Sequence, residues 1–203
     1  MLESNGVNYL AHLYLAGPST DLITGGFIGD SVRGTVLEQL PTTVQHGVLL
    51  HRAIDRFTDH HPVVRGSVAR MRQRFGRYAT VVADVFYDHF LARDFNHYHD
   101  QPLGDYATAM AALLGKHVDT FPERSRRFYR YMVANNVLVS YANVSGIAEV
   151  LARMAERTRF VSHMDQAGEE LQHHYTDYDA DFGLFFPELC KFASAERAMR
   201  GFG

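Results

Sequence analysis

Long stretches of helical spacing, uninterrupted by proline, set the first limit on what this chain can fold into. From Tyr78 to Phe95 the apolar residues Val81, Val82, Val85, Phe86, Phe90 and Leu91 recur at helical intervals. The valines alone would suit a strand, but the length of the run and its i, i+4 pattern favour helix. Val44, Val48, Leu49, Ala53 and Phe57 repeat in the same way, with Thr42 or Thr43 as the expected N-cap. Leu103 to His117, Pro122 to Tyr141 and Ile147 to Thr158 read as further helices, with Pro122 at a helix start. His163 to Phe185 reads as one long helix with Pro187 near its end, and Gly146 and Gly168 read as breaks. No alternating pattern supports a sheet. The expectation is an all-α fold, a single-domain helical bundle of about seven or eight helices.

The chain has 203 residues, enough to bury one substantial core. No linker, repeat or low-complexity segment divides it. The expected organisation is a short N-terminal extension over residues 1–7 followed by one domain over residues 8–203. The extension is polar and lacks an apolar signal core, and no run is long and apolar enough to span a membrane. A single cysteine, Cys190, rules out an intrachain disulfide. These features point to a cytoplasmic protein.

Net charge is -3, which argues against a nucleic-acid binder. The distribution says more. Seven arginines (Arg52, Arg56, Arg65, Arg70, Arg72, Arg74, Arg77) stand against two aspartates between Arg52 and Arg77. The segment from His163 to Glu188 holds seven acids and no Lys or Arg. The first segment suits an anionic partner and the second repels one, although two solvated faces that balance each other explain the charges equally well.

Two helical stretches carry the chemistry. His51, Asp55 and Asp59 recur every four residues and share one stripe. Asp84 and Asp88 lie one turn apart beside His89, among strongly apolar neighbours. Burying an unpaired carboxylate is costly, so such groups are paired or bind a cation. His12 stands alone in the apolar Tyr9-Leu10-Ala11-His12-Leu13, and Asp30 ends the run Gly25-Gly26-Phe27-Ile28-Gly29-Asp30, the one loop with a functional look. A mixed histidine and carboxylate set favours Mn or Fe over a structural zinc. A bound divalent ion acidifies water and polarises a phosphoryl oxygen, and Arg33, Arg52 and Arg56 are the nearest guanidinium groups in sequence for phosphate. Each residue also has a structural reading: His12 as a core histidine, Asp30 as a helix cap, and the others as partners of nearby arginines. His60 and His61 read as loop, and His97, His99, His173 and His174 as exposed. No Gly-x-Ser-x-Gly or reactive cysteine constellation competes.

At these residues the sequence resembles the acyl carrier protein phosphodiesterase family. The matching stretches are Asn8 to Leu13, Gly29-Asp30, Leu50-His51-Arg52 through Asp55 to Asp59, Arg77-Tyr78-Ala79, Asp84 to Leu91, and Phe185-Phe186-Pro187. The resemblance implies a divergent, HD-domain-like phosphohydrolase that needs a divalent cation, most often Mn2+, with Mg2+ or Fe2+ as alternatives. It implies hydrolysis of the phosphodiester between 4'-phosphopantetheine and a serine of holo-acyl carrier protein. Asp30 matches the family's essential aspartate. His12, His51, Asp55, Asp88 and His89 fall in its shared motifs and complete the expected ligand set, with Asp30, His51 and Asp55 catalytic. The acidic carrier protein would dock on Arg65, Arg70, Arg72, Arg74 and Arg77. Two positions depart from the pattern: Gly26, where the family often has Asn, and Glu156, where a second Arg is common. The competing expectations are an HD-like hydrolase of a small nucleotide and a non-enzymatic helical module that binds acidic proteins.

Overall fold

Nearly every stretch of helical spacing is helix in the computed structural model, which describes residues 8 to 202. The expected extension over residues 1–7 lies outside the described residues. Twelve α-helices follow one another, with no strand among the described residues. They are α1 (Tyr9–Leu15), α2 (Thr20–Ile28), α3 (Thr42–His60), α4 (Pro62–Phe75), α5 (Ala79–Arg93), α6 (Phe95–Tyr98), α7 (Leu103–Gly115), α8 (Glu123–Ala134), α9 (Val137–Ser140), α10 (Val144–Ala155), α11 (Ala167–His173) and α12 (Tyr175–Met199). Short 3-10 turns join some of them, including Gly29–Ser31. No helix among the described residues is long and apolar enough to cross a membrane.

α5 is the axis of the core. Val82, Ala83, Val85, Phe86, Phe90 and Leu91 have no solvent exposure, so this helix is buried nearly all round. Each large apolar side chain buried there contributes about 1.5–3 kcal/mol. α1, α4, α10 and α12 pack around it. α12 brings Phe182, Phe185 and Phe186 against Tyr87, Phe90 and Tyr98. One continuous apolar cluster runs from Leu10 to Ala193.

The helix count exceeds the expectation because two long stretches break. Pro122 to Tyr141 divides at Asn136, which adopts the left-handed conformation with φ 48° between α8 and α9. His163 to Phe185 divides at His174, between α11 and α12. Pro187 lies well inside α12 rather than near its end. Its missing N–H is offset by the buried Phe185, Phe186 and Leu189 beside it. Gly146 and Gly168, expected as breaks, sit inside α10 and α11 at close contacts: a β-carbon on Gly146 would come 2.1 Å from the Ser140 carbonyl oxygen. α3 starts without a threonine cap, since Pro41 precedes it and Thr42 and Thr43 form its exposed first turn. Leu49, placed on the apolar face by its spacing, is 38% exposed.

The expected glycine loop is largely helix. Gly25 and Gly26 lie within α2, and Gly29 opens the short turn that follows. Gly25 meets Gly47 of α3 so closely that a β-carbon on it would stand 2.2 Å from the Val44 carbonyl oxygen. The two glycines let α2 and α3 touch backbone to backbone, which sets the turn carrying Asp30 beside His51.

Candidate metal centre and its cavity

Four of the six expected ligands converge. His12 on α1 and His51 on α3 stack with ring centroids 3.9 Å apart. His12 Nε2 lies 3.0 Å from Asp55 Oδ1, and His51 Nε2 lies 3.2 Å from Asp55 Oδ2. Asp30 Oδ1 stands 3.4 Å from the same His51 nitrogen. Helical geometry makes the His51 and Asp55 pairing automatic, because residues four apart share a face. The Asp30 turn is pinned by Arg52, whose Nη2 donates to the Val32 carbonyl at 2.8 Å, and by the Ser125 hydroxyl, 2.7 Å from that of Ser31. Gly29 leaves room for the His51 ring, since a β-carbon there would come 2.5 Å from His51 Cγ.

The short distances do not amount to a hydrogen-bonded network. Both ring nitrogens of His12 and of His51, and Asp30 Oδ2, are buried without a hydrogen-bond partner. Unsatisfied buried polar atoms are costly. Donor atoms of His12, His51 and Asp55 within reach of one another, combined with that lack of partners, fit a divalent cation. Burial lowers the His12 pKa, and the neighbouring His51 lowers it further, against the pull of Asp55. For His51, burial disfavours the charged ring, but contact with Asp30 and Asp55 outweighs it and raises the pKa to about 10. Asp55 resists its own burial: His12 and His51 hold its carboxyl well below the usual carboxylate range.

Asp88 and His89 do not join the cluster. Each Asp88 oxygen accepts a backbone N–H at the start of α1, from Leu10 and Ala11, both at 2.9 Å. The carboxylate therefore satisfies donors that the first helical turn leaves open. Burial pushes this carboxyl up to about 8, with the two N–H donors pulling the other way. His89 sits between the Tyr141 carbonyl oxygen and the Tyr175 hydroxyl, each 2.8 Å from a ring nitrogen. It ties α5 to the end of α9 and to α12.

Asp55 opens into a cavity of about 640 Å³ walled mainly by α3, α4 and α5. Its apolar wall includes Val64, Val68, Val81 and Met154, and its polar wall includes Asp59, Asp84 and the buried Thr58. Burial raises the Asp84 pKa well above the carboxylate range, and the neighbouring Asp55 and Asp59 add to the effect. Asp84, noted in the sequence for its four-residue spacing from Asp88 but left out of the expected ligand set, lines the cavity, as does Thr58, which sequence reasoning did not select.

The arginines are redistributed relative to expectation. Arg33, Arg52 and Arg56, expected at the phosphate, do not line this cavity: Arg52 serves the Val32 carbonyl, and Arg33 and Arg56 are exposed. Arg65, Arg72 and Arg77, expected only at a docking surface, line it. Arg70 pairs with Asp181, and Arg74 with Glu169 at 2.7 Å and Glu170 at 3.4 Å. The acidic segment thus folds against part of the basic one. His97, His173 and His174 are exposed as expected, whereas His61 is buried with Nε2 3.2 Å from Glu188. Gly26 has open space, with only the His12 carbonyl oxygen near a built β-carbon, at 3.8 Å, and Glu156 is exposed after α10.

Fold and site together define an all-α protein whose buried histidine and carboxylate cluster opens on a cavity lined by arginines and aspartates, an arrangement suited to phosphate-ester hydrolysis. The chain belongs to the acyl carrier protein phosphodiesterase family, whose model matches residues 7–189. It is 31% identical to the acyl carrier protein phosphodiesterase of Shigella boydii, over 93% of this chain and 98% of the relative. The protein of that name from Photorhabdus laumondii is 29% identical over 90% of this chain and 93% of its own length. The one from Pectobacterium atrosepticum is 27% identical over 94% and 100%. No solved structure matches the chain.

Proposed function

We propose that this protein hydrolyses the phosphodiester joining 4'-phosphopantetheine to a serine of holo-acyl carrier protein. The products are apo-acyl carrier protein and 4'-phosphopantetheine. One observation carries the reading: in a chain of this family, stacked and unpartnered His12 and His51 share Asp55, and Asp55 opens into a cavity lined by arginines.

His12, Asp30, His51 and Asp55 are the residues that would hold a divalent cation, with Mn2+ preferred and Mg2+ or Fe2+ as alternatives. When bound, such an ion supplies an acidified water and offsets charge on the phosphoryl oxygens. Asp30, His51 and Asp55 are the proposed catalytic residues. Asp55 is the donor most open to the cavity, its side chain 34% exposed against 9% for Asp30. Arg65, Arg72 and Arg77 attract the phosphate from the cavity wall. Water adds to phosphorus and the bond to the serine oxygen breaks, so the serine oxygen must gain a proton. Asp84, whose pKa is raised by burial and by the neighbouring Asp55 and Asp59, is the wall group suited to hold one at its carboxyl. The helical His and Asp donor set also supports a distant kinship with HD-type phosphohydrolases. A cytoplasmic setting goes with this reading, supported by the single cysteine.

The test is to incubate the protein with holo-acyl carrier protein and Mn2+ and to weigh the carrier by mass spectrometry. The expected result is loss of the phosphopantetheine group, abolished by EDTA and by Asp30→Ala or His51→Ala. An unchanged carrier mass with Mn2+, Mg2+ and Fe2+ alike would end the proposal.

A further inference from the structure

Much of the protein's arginine is neutralised within the fold. Arg70, Arg74, Arg93, Arg153 and Arg200 each meet a carboxylate. Several arginines meet none among the described residues, and four of these, Arg65, Arg72, Arg77 and Arg159, gather in one place. The first three line the cavity into which Asp55 opens, and Thr158, next to Arg159, lines the same cavity. The Arg77 guanidinium lies 4.3 Å from the centre of the Phe160 ring, and that of Arg159 lies 5.7 Å from it. Phe160 nevertheless remains 56% exposed, and the adjoining Val161 is 80% exposed.

We propose that this cavity mouth, built from Arg65, Arg72, Arg77 and Arg159 around Phe160 and Val161, docks an acidic protein surface that bears an apolar spot and carries the phosphodiester arm. The inference rests on the reading of the site as a carrier-protein phosphodiesterase and names the surface that recognises the carrier. Guanidinium groups clustered at the mouth with no carboxylate within ion-pair distance repel one another, and an acidic partner relieves that repulsion. An exposed aromatic among such charges is the usual anchor of a recognition patch. The protein's own acidic segment is directed elsewhere, because Asp181, Glu169 and Glu170 engage Arg70 and Arg74. Arg70 and Arg74 therefore drop out of the docking set, and Arg159, Phe160 and Val161 enter it. A nucleic acid would also be drawn to the arginines. It gains from rows of aromatic platforms, however, and Val161 beside the single Phe160 offers an apolar contact without a stacking face.

The experiment measures binding without turnover. Fluorescently labelled apo-acyl carrier protein, whose serine bears no arm to cleave, is titrated with the full chain at low salt and read by anisotropy. The variants are Arg72→Glu with Arg159→Glu, the milder Arg72→Gln with Arg159→Gln, and Phe160→Ser, each checked for helical circular dichroism. The proposal expects the reversed pair to weaken binding about tenfold or more, and the other two less, with wild-type binding falling as salt rises. On holo-carrier Arg159→Glu alone, which leaves the cavity-lining Arg65, Arg72 and Arg77 in place, should raise KM with kcat within about twofold. Wild-type protein that does not bind the carrier, variants that bind as wild type does, or an oligonucleotide bound more tightly than the carrier would each overturn it. Binding that responds as expected without any cleavage of holo-carrier would keep the docking surface and remove the phosphodiesterase reading. Cleavage with unaltered variant binding would do the reverse.

Discussion

The imidazole of His51 lies on the bare backbone of Gly29, where a β-carbon would come 2.5 Å from its Cγ and 2.7 Å from its Cδ2. A methyl group has no room there, so in Gly29→Ala either the ring or the Asp30 turn must shift. Both positions belong to the proposed donor set. The expected outcome is a loss of Mn2+ affinity of about tenfold or more, the scale on which supporting residues act on metal sites, with helical circular dichroism retained. Titration calorimetry with Mn2+ checks it, and an unchanged affinity would remove His51 from the donors.

Gly25 and Gly26 are neighbours on α2 and should respond in opposite directions. A β-carbon on Gly25 would strike the Val44 carbonyl oxygen at 2.2 Å and the Gly47 Cα at 2.7 Å, and both are backbone atoms that cannot turn aside. Gly25→Ala must therefore separate α2 from α3, at a cost of about 1–3 kcal/mol or more. On Gly26 the nearest atom would be 3.8 Å away, so Gly26→Ala gains helix propensity and stabilises by about 0.5–1 kcal/mol. Urea unfolding of the two variants against wild type decides the pair.

His51 also makes the stability of the metal-free protein depend on pH. Its folded pKa of about 10 lies above the ordinary value of 6.5, because Asp30 and Asp55 outweigh the effect of burial. A group whose pKa is raised on folding contributes fully below its unfolded value and loses that contribution as pH rises toward its folded value. His12 is shifted downward and acts below pH 6.5, outside this window. Metal-free wild type should thus lose stability relative to His51→Gln between about pH 6.5 and 10. Paired thermal melts in EDTA across that range measure the difference, and a difference independent of pH would contradict the assignment.

What could be read from the sequence followed from the cost of burying polar groups. His12, His51 and Asp55 stood out as ionisable residues in apolar helical stretches and Asp30 as the end of a glycine-rich run, and the four converge. The same argument selected Asp88 and His89 with equal force. It fails there because it states that a buried carboxylate needs a partner without naming one, and the partner of Asp88 is backbone. Glycine misled for a related reason. Gly25, Gly146 and Gly168 look like loop or break residues along the chain, yet their missing β-carbons answer to neighbours distant in sequence or lying on another element. The charge map showed two opposed segments, but the pairing of Arg70 with Asp181 across 111 positions is tertiary information. That pairing separates the arginines that hold the fold together from those left free at the cavity.

Asp88 is where the structural and the ligand readings diverge most sharply. Asp88→Ala removes both acceptors at once and leaves the Leu10 and Ala11 N–H groups buried without partners. Each such group costs about 1–3 kcal/mol, so the variant should unfold at clearly lower urea. Asp88→Asn keeps one carbonyl oxygen as an acceptor and should fall between the variant and wild type. Because α1 carries His12, a loosened α1 can weaken ion binding, but the folded variant should still take up as much Mn2+ as wild type at saturation. Metal content after dialysis against excess Mn2+, measured beside the urea midpoint, separates the two roles. An Asp88→Ala protein as stable as wild type but devoid of its ion would return Asp88 to the donor set and make its contact with α1 secondary.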